Sequence, residues 1–168
     1  ARDFATPTGS GPRPLEFSPN STLAFCTYEL TSELVVLKYG DGHLSELQRV
    51  STLPDGFAGS STNAEVRVAP DGKHVYVSNR GHDSLACFAI SSDAGGVRLI
   101  GHVSTQGETP RNFGISPDGA WIVVGNQDSH TLAVFRRDAE SGNLASAGAP
   151  IDSPSPALIY FPRAPGKP

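Results

Sequence analysis

Three proline turns recur along the chain at a nearly constant interval, and no other feature narrows the fold so far. "FSPNST" around Pro19, "VAPDGK" around Pro70 and "ISPDGA" around Pro117 lie 51 and 47 residues apart. Each follows a short alternating segment ("RPLEF", "AEVRV", "RNFGI") and precedes a second one ("TLAFCTY", "HVYVSN", "WIVVGN"). A third apolar segment comes next ("ELVVLKY", "SLACFAI", "TLAVFRR"). A Gly- or Asp-rich turn ("GDGH", "SDAGG", "AESGN") then leads to a weaker fourth ("LSELQRVSTL", "VRLIGHVST", "LASAGAPI"). Proline presets φ near the turn value, and glycine accepts positive φ where the chain reverses. The "SPDG" motif therefore reads as turn chemistry. Each unit is a four-stranded antiparallel meander of about 45 to 50 residues, the size of one propeller blade.

The expected fold is thus all-β, with three complete blades at residues 11–54, 63–107 and 109–154 of a single partial β-propeller domain, 1–168. Residues 155–162 begin a further blade or supply a closing strand. Propellers close with roughly four to eight blades, so three units point to part of a larger ring. The polar end "PRAPGKP" reads as a C-terminus, which puts the expected missing blades on the N-terminal side. Open blade faces would favour self-association.

Composition removes several function classes. Eighteen Gly, fourteen Pro and no Met fit many strands and tight turns. A net charge of −4 and the lack of a basic run give no face for nucleic acid. No apolar run approaches the ~20 residues of a membrane helix. Cys26 and Cys87 each sit inside an apolar strand-like run and read as buried free thiols, which suits a reducing, cytoplasmic setting. No His, Cys or acidic pattern has the spacing of a zinc site or a calcium loop, so neither metal nor cofactor is expected.

Aligning the units on their proline turns produces three columns of polar residues. The end of the second strand holds Glu29, Arg80 and Gln127. The start of the first strand holds Arg13, Ala64 and Arg111, and the next position holds Pro14, Glu65 and Asn112. Scaffold constraints alone favour like residues at equivalent places. Different charged residues in one column are what an asymmetric small-molecule site on a pseudo-symmetric frame should show. His82, two residues after Arg80, is a further candidate, and "HDS" suggests a hydrogen bond between His82 and Asp83. His43, His74 and His102 read as solvated residues of turns or outer strands.

The segments "GPRPLEFSPN", "YEL", "AEVRVAPDGKHVYVSNRGHDSLACF" and "TPRNFGISPDG" resemble the C-terminal half of the seven-bladed propeller lactonases, a family that includes propeller-type 6-phosphogluconolactonases and a carboxymuconate cyclase. The resemblance implies a lactone-hydrolysing or lactone-forming enzyme of carbohydrate or aromatic-acid metabolism, acting on a small substrate that carries a carboxylate or phosphate. It implies catalytic roles for Arg13, Glu29 and Arg80, with Glu29 as general base and the arginines stabilising an oxyanion. Arg111, Asn112, Glu65, Gln127 and His82 would bind substrate. Pro14 stands where the family has a histidine. The alternatives are a non-catalytic propeller scaffold, for which more uniform polar columns would be expected, or an inactive half-propeller, which would self-associate through its exposed blade faces.

Overall fold

The computed structural model describes residues 4–91 and 95–162, so "SDAGG" and the terminal "PRAPGKP" lie partly outside the described residues. Every regular element among them is a strand. The first sheet contains β1 (Pro12–Phe17), β2 (Leu23–Tyr28), β3 (Glu33–Gly40) and β4 (His43–Ser51). The second contains β5 (Thr62–Val68), β6 (His74–Arg80), β7 (Ser84–Ile90) and β8 (Val97–Ser104). The third contains β9 (Pro110–Ile115), β10 (Trp121–Asn126), β11 (Thr131–Arg137), β12 (Leu144–Ser146) and β13 (Ile151–Asp152). Each is an antiparallel meander in chain order, and β1, β5 and β9 lie beside one another along the inner side. No helix is long and apolar enough to cross a membrane among the described residues.

The proline turns have the local cause read from their sequence. Ser21, Gly72 and Gly119 each donate a backbone hydrogen bond of 2.8 Å to the residue three back, and each has positive φ (55°, 71° and 72°). The fourth strand of the third blade differs from the sequence reading, because it breaks into β12 and β13, both paired with β11. Pro150 lies in the break and has no N–H to continue the ladder.

Two of the three apolar clusters pack between blades, and the third, of Ala24, Cys26, Tyr28, Val35 and Leu37, lies on the first blade alone. Phe25, Leu34 and Val36 of the first blade meet Val66, Val75, Val77 and Phe88 of the second. Tyr76, Leu85 and Cys87 of the second meet Phe113, Ile122, Val124 and Phe135 of the third. Cys26 and Cys87 are free, buried thiols. Burial pushes the Cys87 thiol up to about 12.

Polar latches join the blades where this packing ends. Thr52 Oγ1 lies 2.7 Å from Asn79 Oδ1 and 2.9 Å from Asn63 Oδ1, and Asn79 Nδ2 donates to the Thr52 carbonyl at 2.8 Å. One blade on, Asn126 Nδ2 donates to the Thr105 carbonyl, also at 2.8 Å. These groups are fully buried, so an orphaned partner costs its desolvation. Asn79→Ala is expected to lower unfolding free energy by about 1–3 kcal/mol. Urea unfolding checks this, and a change inside experimental error would count against the latch.

A second latch corrects the reading of His74, which is 3% exposed rather than solvated. Arg137 of β11 reaches back to the second blade. Its Nη2 donates to Asp71 Oδ2 at 2.7 Å and to His74 Nδ1 at 2.8 Å, its Nε to Tyr76 Oη at 3.0 Å, and its Nη1 to the Gly119 carbonyl at 3.1 Å. Tyr76 in turn donates to the Gly142 carbonyl at 2.9 Å. Burial, then Arg137, depresses the His74 pKa. Burial pushes the Asp71 carboxyl upward, but hydrogen bonds from Lys73 N and Arg137 outweigh it and hold the group below its usual value. Both shifts have the same sign for stability. A depressed folded-state pKa contributes stability that is present above the unfolded value and is lost as pH falls through the folded one. The melting temperature is therefore expected to fall as pH drops below about 6.5, the ordinary histidine value, with a shallower fall in His74→Gln. An identical pH profile in the two proteins would rule His74 out as the cause.

Candidate functional site

Arg13, Glu65 and Arg111 stand on an irregularity that repeats in every inner strand, and Glu29, Arg80 and Gln127 stand at the ends of the second strands that pair with them. Pro12 pairs with Tyr28 and Leu15 with Cys26, so Arg13 and Pro14 together face Thr27. Asn63 pairs with Asn79 and Val66 with Val77, so Ala64 and Glu65 together face Ser78. In the third blade Pro110 pairs with Asn126 and Asn112 with Gly125, leaving Arg111 as the extra residue. A β-bulge re-aims the side chains of the bulged strand and increases its twist. Here it falls at the column that contains both Arg13 and Arg111. Small residues face all three bulges, and in the second blade Glu65 N donates to Ser78 Oγ at 3.1 Å. Pro14 has no N–H to do the same. The equivalent Thr27 hydroxyl is buried without a partner.

Three of the candidates come together across two blades. Arg13 Nη1 pairs with Glu29 Oε2 at 3.4 Å, and Arg80 Nη2 pairs with Glu29 Oε1. Arg80 Nη2 also donates to the Asn63 carbonyl at 3.1 Å, while its Nε is buried with no partner. Exposure is graded across the cluster: the Arg13 side chain is 45% exposed, Glu29 22% and Arg80 17%. Thus Arg80 is fixed, and Arg13 lies open to solvent. The backbone holds Arg80 as well, because Ser61 Oγ donates to its carbonyl at 2.9 Å. Gly81 follows with φ of 95°, and a Cβ there would lie 2.3 Å from the Ser60 carbonyl. Only glycine allows the blade connection to pass so close to the arginine.

The remaining candidates form separate contacts. Arg111 Nη1 donates to Gln127 Oε1 at 3.3 Å, within the third blade. Asn112 Nδ2 donates to Glu65 Oε2, and Asn112 Oδ1 accepts from Ile159 N at 2.8 Å. Glu65 and Asn112 are therefore engaged with each other, and Asn112 also with Ile159 of the segment that follows β13. Arg67 lies 3.5 Å from Glu65 Oε2 and 3.2 Å from Glu16 Oε2. Burial pushes both carboxyls up, and Arg67 partly opposes it.

His82 is not joined to the Arg13, Glu29 and Arg80 cluster by any hydrogen bond. Its Nδ1 lies 2.7 Å from Ser84 Oγ, and its ring packs edge-on against Phe57 and His102. The expected His82–Asp83 bond is not formed either. Asp83 Oδ1 instead accepts from Gly81 N at 3.0 Å and Thr109 N at 2.9 Å, tying the Arg80 turn to the third blade. Among the described residues, no group of three or more His, Cys, Asp or Glu is placed to hold a metal ion.

Sequence reasoning missed the bulges, the Asn63 carbonyl that holds Arg80, and the Ser61 contact. The Thr27, Ser78 and Gly125 column of small residues was their one visible trace.

An all-β stack of propeller blades with a charged cluster built from a bulged inner strand and the ends of two second strands defines a class in which several chemistries occur. Comparison with known proteins narrows it. The profile of the family described as "Lactonase, 7-bladed beta-propeller" matches residues 1–161, and the chain belongs to that family. It is 40% identical over 107 residues to the 6-phosphogluconolactonase of Bacillus subtilis, an alignment covering 62% of this chain and 31% of the relative. The periplasmic gluconolactonase of Pseudomonas aeruginosa superposes with a TM-score of 0.89 at 36% identity, over 96% of this chain and 45% of that one. A protein from Lactobacillus plantarum superposes with a TM-score of 0.87 at 37% identity, over 90% of this chain and 45% of that one. The chain thus spans less than half the length of these relatives.

Proposed function

We propose that the protein this chain belongs to hydrolyses a lactone bearing an anionic group, with 6-phosphogluconolactone as the best-fitting substrate. The observation that carries this reading is the Arg13–Glu29–Arg80 cluster, in which one carboxylate is held between guanidiniums of two different blades. Attack of water on a lactone carbonyl creates an oxyanion, and a fixed cation stabilises it more than it stabilises the neutral carbonyl. Arg80 has the rigidity for that role, and its buried Nε has no other partner. Glu29 supplies the carboxylate that takes a proton from the attacking water. Arg13, open to solvent, gives up its long contact with Glu29 to meet substrate. The related 6-phosphogluconolactonase and gluconolactonase support a sugar lactone over a muconate-derived one. Two buried free thiols fit a reducing compartment such as the cytoplasm.

The test is hydrolysis of 6-phosphogluconolactone and of unphosphorylated gluconolactone by the full-length protein, followed by proton release. Turnover of the phosphorylated lactone above the spontaneous rate is the expected result. A rate equal to the spontaneous one for both would overturn the reading.

A further inference from the structure

The first and third blades repeat one contact with a single chemical change. In the first, Arg13 Nη1 reaches Glu29 Oε2 at 3.4 Å, and in the third, Arg111 Nη1 reaches Gln127 Oε1 at 3.3 Å. The partners are 16 residues apart in both cases, and both arginines stand on the bulge of an inner strand. Where the first blade has a carboxylate, the third has an amide. Glu29 sets one negative charge against the two positive charges of Arg13 and Arg80, whereas Gln127 fixes the Arg111 guanidinium and offsets none of its charge. Among the described residues, Arg111 has no carboxylate within ion-pair distance. Glu65, the acid one blade back in the neighbouring column, is taken by Asn112 and Arg67. Arg111 is of intermediate burial, and the Gln127 bond is the one side-chain hydrogen bond its guanidinium makes among the described residues.

We infer that Arg111, oriented by neutral Gln127, is the residue that binds the anionic substituent of the substrate, a phosphate or carboxylate, while Arg13, Glu29 and Arg80 face the lactone ring. The division of labour rests on the lactonase reading, but the anion site does not. A guanidinium with one edge held by an amide oxygen presents its other N–H groups as a planar fork matched to an oxyanion. A carboxylate at position 127 would occupy that fork from within.

The test reads binding with inorganic phosphate, by calorimetric titration of the full-length protein and of Gln127→Glu, a near-isosteric change. Arg111→Met serves as a second variant, and melting temperatures confirm that both fold. Each variant is expected to weaken phosphate binding about tenfold to a hundredfold, the loss of one charge-assisted contact. A folded Gln127→Glu protein that binds phosphate as tightly as the unaltered one would overturn the assignment, as would failure of the unaltered protein to bind phosphate at millimolar concentration. Turnover assays separate the two ideas. Loss of phosphate binding in Gln127→Glu without any lactone turnover in the parent supports the anion site and removes the lactonase reading. Turnover of the phosphorylated lactone with kcat/KM unchanged in Gln127→Glu removes the Arg111 assignment and leaves the lactonase reading in place.

Discussion

Glu29→Gln in the full-length protein is expected to lower kcat for lactone hydrolysis by about two to four orders of magnitude, the range for removing a positioned general base, without raising KM. The two parts of this expectation have different origins. Glutamine fills the same space and keeps one oxygen for Arg80, so the frame around the site should hold. It cannot take a proton from water, and its amide hydrogens face the guanidinium that the second carboxylate oxygen had paired with. Arg13, already 45% exposed, is then free to turn towards an anionic substrate, which favours ground-state binding while chemistry is lost. Steady-state kinetics distinguishes this from a purely structural role. If Glu29 served only to hold the arginines in place, KM would rise with little change in kcat, and that outcome would remove it from the mechanism.

The largest effect on stability is expected at Asp71, which lies in a turn and contacts no candidate site residue. Its carboxylate is the one ion-pair partner of Arg137 among the described residues, and the Arg137 side chain is only 1% exposed. Asp71→Asn removes the compensating charge and leaves a guanidinium buried against Tyr76 and His74. Breaking one side of a buried pair costs about 3–5 kcal/mol. Arg137→Met should cost less, since Asp71, with 30% of its side chain exposed, can rehydrate and the methionine fills the space. Chemical denaturation of both variants gives the comparison, and Asp71→Asn proving the milder of the two would refute this account.

These residues also show how far the sequence could be read. Strand order was legible because the turn prolines and the positive-φ positions after them recur at one interval, and each constraint is local. The Glu29, Arg80 and Gln127 column was legible for the same reason, since equal register in equal blades means equal height in the fold. Partnership within the columns was not. Glu65 could be placed in its polar column from its number, but only the packed chain shows that Asn112 of the next blade occupies its carboxylate. His74 was misread because a strand-start histidine ordinarily faces water. Its partner Arg137 comes from 63 residues further on, beyond any local pattern. The bulges left almost no signal, since an inserted residue on an inner strand needs no glycine, and alternation resumes after it.

That last property separates the chemistry of the chain from its architecture. Residues before and after each bulge keep their pairing, and the blade cores are built from positions outside it. The extra residue is thus a hinge in the reading frame of the strand, where one amino acid can change its identity without moving the alternation of its neighbours. A lineage that duplicates blades inherits one such adjustable position per copy. Divergence at Arg13, Ala64 and Arg111 could then proceed without renegotiating how the blades pack.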